Sequence, residues 1–242
     1  GETTETLYAV EKFKGQCIGD VLTLSCYADK PLAGMGGVNL VLSSGQEESI
    51  AQTRAFSVLY LATVMFTAFY GQHERLFDEL SSLPAAGRSL LQQYGDLAAH
   101  WGQQTNLDRL YFLGSGPRYG LACELNLKMK EMSLTHSEPF HFMEFRHGPQ
   151  SMVTSQTLIV GLLSEQNRTH ENQVLDDMRQ RGAQVLSLAE SNADIAFASG
   201  VSEAARNVLC LPLGQLMAFE RSLSKGLDPD RPNNLDAVVR LN

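Results

Sequence analysis

Short apolar runs alternate with segments of helical periodicity along the chain. The runs cover residues 21–27 (VLTLSCY), 38–43, 109–114 (RLYFLG), 157–163 (TLIVGLL), 184–188 and 208–211. They are nearly continuous in apolar residues rather than alternating, the pattern of strands buried on both faces of a parallel sheet. Between them, helical spacing predicts helices over 3–13, 49–70, 85–101, 119–133, 171–181 and 213–225. Strand–helix alternation with short Gly-bearing connections predicts an α/β fold.

The order of elements also repeats. The stretch GETTETLYAVEKFKGQCIGDVLTLSCYADKPLA aligns with EQNRTHENQVLDDMRQRGAQVLSLAESNADIA. Both read as polar loop, amphipathic helix, buried strand, then a loop with Ala-Asp. A second strand follows in each (VNLVLSS, NVLCLPL), and then a second helix. The pattern predicts duplication. The second copy has a front end, from 109 to the strand TLIVGLL, for which the first shows no counterpart. The expected division is an N-terminally incomplete first unit (1–83), a connecting helix (84–103), a complete second unit (104–230) and a tail (231–242). By this analogy roughly 60 residues are expected before Gly1.

Composition narrows the classes. Of 242 residues, 43% are hydrophobic and 19% charged, which suits one large or two modest globular domains. A net charge of −8 with no basic stripe argues against nucleic-acid binding and leaves an anionic small substrate open. The longest apolar run, 56–69, is too short and interrupted to span a bilayer. No secretory leader is recognised. Cys17, Cys26, Cys123 and Cys210 are widely spaced without a CxxC pair and read as buried thiols in a reducing compartment. The cytoplasm is therefore the expected location.

Four stretches fall where open parallel sheets bind ligands, beyond strand ends and at helix N-termini. Gly1-Glu2-Thr3-Thr4 reads as an anion-binding turn or as an ordinary Thr N-cap. Gly114-Ser115-Gly116 suits close backbone approach. The segment SSGQEESIAQTRAF offers donors before a helix, or a capping box using Ser44 and Glu47. The richest is ACELNLKMKEMSLTHSEPFHFMEFRHGP. On a helix, Glu124, Lys128 and Glu131 fall at i, i+4 and i+7 on one face. They form either a solvated salt-bridge ladder or, with His147 at the Gly-Pro corner, an acid–base constellation. His136, His141 and His147 share no ligand-spaced helical face and no HExxH occurs, which argues against a metal.

Together these stretches resemble the sugar isomerase (SIS) domain family. The likeness is to the paired domains forming the isomerase half of glucosamine-6-phosphate synthase, and to stand-alone deaminase and deglycase relatives. The carriers are GETTETL, EESIAQTRAF, LNLKMKEMSLTHSEPF with EFRHGP, and KGLDPDRPNNL, so the resemblance spans essentially the whole chain. It implies two three-layer α/β/α units with parallel sheets, a homodimer, and no metal or organic cofactor. Glu131 would move a proton between C1 and C2 of an open-chain sugar phosphate, and His147, commonly lent by the neighbouring subunit, would assist ring opening. Thr3, Ile50, Gln52 and Thr53 would contact the phosphate or sugar, and Glu124 and Lys128 would orient the substrate or Glu131.

Two departures stand out. Gln52 replaces a family Ser. Synthase members carry a Lys two residues after the tail's Asn-Leu, whereas Asn234-Leu235 leads here to Asp236 and Ala237, and Lys225 lies far upstream. These residues include no glutaminase domain, and synthase chemistry is not supported. The expected reaction is isomerisation of an amino-sugar 6-phosphate with loss of ammonia. The alternatives are a fructosamine-6-phosphate deglycase, a simple aldose–ketose isomerase, or a non-catalytic sugar-phosphate sensor.

Overall fold

A computed structural model describes residues 1–236 and 238. The first part contains α1 (Thr4–Gln16), β1 (Leu22–Ser25), β2 (Val38–Val41), α2 (Arg54–Tyr70), α3 (Glu74–Glu79) and α4 (Leu83–Gln103). The second contains β3 (Arg109–Gly114), α5 (Pro117–Ser133), β4 (His136–Phe140), α6 (Phe142–Phe145), β5 (Thr157–Leu162), α7 (Arg168–Gln180), β6 (Gln184–Ala189), β7 (Ile195–Ala196), α8 (Glu203–Arg206) and α9 (Cys210–Ser224). β1 and β2 pair in parallel; the other five strands form a parallel sheet in the order β4-β3-β5-β6-β7. The α/β class and the parallel sheets are as expected.

Period-two geometry sorts the central strands' residues onto two faces. Leu110, Phe112, Leu158 and Val160 enter one core with Leu121, Leu125 and Met129 of α5 and Leu213 and Met217 of α9. Phe56, Tyr60, Leu61 and Val64 of α2 pack against the same core. Tyr111, Leu113 and Ile159 face the other way and join Phe142 and Phe145 of α6 with Val174 and Met178 of α7. α5 and α6 therefore lie on opposite faces of the sheet. Helices α4 and α9 approach closely at Gly102, where a Cβ would stand 2.5 Å from the Met217 carbonyl oxygen.

Several expectations are corrected. Residues 208–211 are not a strand: a 3-10 turn over 207–209 runs directly into α9. A four-residue apolar run carries too little periodicity to separate a buried helix from a strand. The pairing of VNLVLSS with NVLCLPL thereby fails, since the first contains β2 and the second is helical. β2 is not buried on both faces either; Val38, Leu40 and Val41 are exposed. β4 is not among the apolar runs, because its sequence, HSEPF, is polar and contains Pro. Its edge position accommodates both. α2 begins at Arg54 rather than near 49, for a reason that belongs to the site.

Candidate active site

α5 is unusual among the helices in burying polar side chains on several faces, including Arg118, Glu124, Asn126 and Lys128. At one-turn spacing, Glu124, Lys128 and Glu131 meet. Lys128 Nζ donates to Glu131 Oε2 at 2.7 Å and stands 3.7 Å from Glu124 Oε1. Glu124 is 6% exposed and Lys128 4% exposed, so this is not a solvated ladder. The Glu131 side chain keeps 21% of its surface open. Glu124 Oε1 is buried and accepts no hydrogen bond, so its approach to Lys128 is a charge interaction only. Burial pushes the Glu124 carboxyl up to about 7; Lys128 opposes this, while Glu131 and Glu47 add to it.

Glu47 is the residue that sequence reading undervalued. Its carboxylate accepts from the backbone N–H groups of Thr53 (3.1 Å), Arg54 (3.3 Å) and Ala55 (2.7 Å), and from Thr53 Oγ1 at 3.4 Å. An acidic group at the positive end of a helix satisfies its orphan donors, and here it does so from six to eight residues away. This sets the start of α2 at Arg54. Ser44 takes no part in that cap, so the expected Ser44–Glu47 capping box does not form. The Glu47 carboxylate thus stands at the N-terminus of α2, next to Thr53.

A cavity of about 890 Å³ lies beside this cap, with Glu47, Ala51, Thr53, Met132, Gln215 and Asp230 among its lining. Met132 of α5 lines it, whereas Glu124, Lys128 and Glu131 do not. The C-terminal segment closes against it, with Ile50 N–H donating to the Asp230 carbonyl at 3.0 Å.

The structure gathers the sequence-selected residues unevenly. Glu124, Lys128 and Glu131 form one cluster, and Thr53 lines the cavity. Ile50 is half-buried and held through its backbone, whereas Gln52 is exposed and outside the lining. Thr3 is exposed at the N-cap of α1, and its side chain makes no capping hydrogen bond. His147 is exposed in the turn after α6, its N–H donating to the Glu144 carbonyl. It follows α6, which packs on the sheet face opposite α5. Gly114 of the GSG turn serves packing: a Cβ there would stand 2.5 Å from the Arg118 carbonyl oxygen. All four cysteines are free thiols, but only Cys26 and Cys210 are buried as expected; Cys123 is half-buried and Cys17 exposed. Among the described residues no three His, Cys, Asp or Glu side chains converge to hold a metal, and no helix is long and apolar enough to cross a membrane. Ala237 lies outside the described residues.

A parallel α/β fold with a carboxylate–lysine–carboxylate helix beside a cavity matches a known class. Residues 105–212 match the SIS domain family model. The chain is homologous to glutamine–fructose-6-phosphate aminotransferase (isomerizing) of Leifsonia xyli subsp. xyli, 30% identical over 264 residues, covering 99% of this chain and 42% of that protein. The chain thus spans less than half the length of the curated relatives it matches. Glucosamine-6-phosphate deaminase from Thermotoga maritima superposes with a TM-score of 0.85 at 27% identity, over 100% of this chain and 73% of that one. Tagatose-6-phosphate ketose/aldose isomerase from Escherichia coli shares the fold, with a TM-score of 0.79 at 22% identity over 97% and 68% of the two chains.

Proposed function

We propose that this chain is the isomerase/deaminase part of an enzyme acting on an amino-sugar 6-phosphate of the glucosamine- or galactosamine-6-phosphate type. Glu131 takes the proton from C2 of the open-chain sugar, forming an enolamine, and returns it at C1. The resulting C2 imine adds water and releases ammonia, leaving a ketose 6-phosphate. The observation that carries this reading is the Lys128–Glu131 contact of 2.7 Å at a half-open carboxylate, beside a helix-buried Glu124. Lys128 holds Glu131 in one rotamer, and a fixed carboxylate reaches both carbons of a cis intermediate. Similarity at 27% identity to a glucosamine-6-phosphate deaminase supports the leaving group.

In this proposal the chain comprises a first unit (1–83), a connecting helix (84–103), a second unit (104–230) and a tail (231–242). His147, exposed in the turn after α6, serves the site of a second copy in a homodimer. Thr3, Ile50, Gln52 and Thr53 contact the sugar phosphate.

The test is release of ammonia and formation of ketose phosphate from glucosamine-6-phosphate, compared with fructosamine-6-phosphate and with plain aldose phosphates. Glu131→Gln is expected to reduce turnover by about 10²–10⁴-fold. Full activity in a folded Glu131→Gln variant, or no turnover of any of these sugars by the parent, would overturn the proposal.

A further inference from the structure

The last turn of α5, which carries Glu131, is held by two cations from a different helix. Lys225, at the end of α9, donates from Nζ to the carbonyls of Ser133 (2.7 Å) and Leu134 (3.4 Å), and to Thr135 Oγ1 at 3.1 Å. One turn earlier, Arg221 donates from Nε to the same Thr135 hydroxyl at 2.8 Å and from Nη1 to the Gln104 carbonyl at 2.8 Å. Its Nη2 donates to the Leu107 carbonyl. Arg221 is only 2% exposed. One turn of α9 thus ties together the end of α5, the end of α4 and the entry to β3.

Two features set this apart from ordinary packing. Every acceptor in these bonds is neutral: the buried Arg221 is met by the Thr135 hydroxyl and the carbonyls of Gln104 and Leu107, and the more exposed Lys225 by carbonyls at the negative end of α5, with no carboxylate among them. Burial, with Arg221 adding to the effect, lowers the proton affinity of Lys225. The residue capping α5, Leu134, also has left-handed backbone angles (φ 48°, ψ 40°). A non-glycine residue stays there only when its surroundings over-determine it, and the Lys225 bonds to Ser133 and Leu134 do that. Glu131 lies two residues before Ser133, on the same final turn.

We propose that Arg221 and Lys225 are positioning residues that fix the last turn of α5 and thereby the carboxylate of Glu131. The catalytic consequence rests on Glu131 being the reacting base. Lys225 acts on the site through the backbone of Ser133 and Leu134 and touches no reacting atom.

The test is carbon-13 NMR of the chain labelled at glutamate carboxyls, with the Glu131 resonance identified as the one missing from Glu131→Gln. In Lys225→Met that resonance is expected to shift and broaden, whereas Lys30→Met, which removes a surface partner of Glu2, leaves it in place. Turnover of glucosamine-6-phosphate is expected to fall about ten- to a hundredfold with KM changed by less than about twofold, and Lys225→Arg to recover part of the loss. If Lys225→Met does not fold, Arg221→Lys, which keeps charge but loses the guanidinium fork, reports on the same resonance. An unmoved Glu131 resonance in a folded variant overturns the inference. Turnover that survives Glu131→Gln overturns the base assignment instead, and the resonance still decides whether the turn is held.

Discussion

Lys128 Nζ lies 2.7 Å from Glu131 and 3.7 Å from Glu124, so one buried ammonium serves two carboxylates with different surroundings. It hydrogen-bonds the half-open carboxylate and only partly offsets the burial of the other. The two environments differ: the Glu131 side chain keeps 21% of its surface open, while Glu124 holds its proton into the neutral range.

Removing that ammonium has a bounded cost. Breaking a buried ion pair costs roughly 3–5 kcal/mol when the remaining charge cannot escape. Glu124 can escape by taking up a proton near pH 7. Lys128→Met is therefore expected to destabilise the fold by only about 1–3 kcal/mol at pH 7. Urea unfolding measures this, and a loss well above that range would show that Glu124 stays ionised.

Stability should fall as pH rises between about 4.5 and 7. The Glu124 carboxyl titrates at 4.5 by reference and at about 7 in the fold, so in this window the folded state binds the extra proton. Its contribution is complete below 4.5, declines through the window and is gone above about 7. The amplitude is about 2–4 kcal/mol, from roughly 1.4 kcal/mol per pH unit. Glu124→Gln is expected to abolish this slope in denaturation curves measured from pH 4.5 to 8.

Glu47→Ala should loosen the first turn of α2. Three backbone N–H groups lose their carboxylate, at a cost of about 1–2 kcal/mol. Hydrogen exchange at Thr53, Arg54 and Ala55 should accelerate before any change in α9. Removing this carboxylate also removes one contributor to the raised Glu124 titration, so the carboxyl should move down.

The two close glycine contacts should differ in cost. At Gly214 a new Cβ meets the flexible Leu125 side chain at 2.5 Å; at Gly102 it meets the Met217 backbone carbonyl at 2.5 Å. Leu125 can rotate, whereas separating α4 from α9 disturbs the whole core. Gly102→Ala is expected to cost about 2–3 kcal/mol and Gly214→Ala about 1 kcal/mol, read from thermal unfolding.

The sequence by itself determined the parallel α/β class and the interior of the second sheet. β3 falls on 109–114 as read, because RLYFLG and TLIVGLL are apolar enough to be buried on both faces in any packing. It also determined the Glu124–Lys128–Glu131 cluster, since helical spacing alone places those residues on one face. Tertiary structure decided what spacing cannot encode. Burial made the cluster an enclosed group of paired charges and not a surface ladder, and this depends on α5 being covered by α9 and the sheet. Residues 208–211 became helix because their apolar side chains satisfy a core equally well in either conformation. Glu47 set the start of α2 from beyond the reach of a local capping rule, and Arg221 and Lys225 met the end of α5 across some ninety residues of chain. A side chain's local sequence constrains its own turn, but the dielectric and partners that give it chemistry come from segments the chain brings together only on folding.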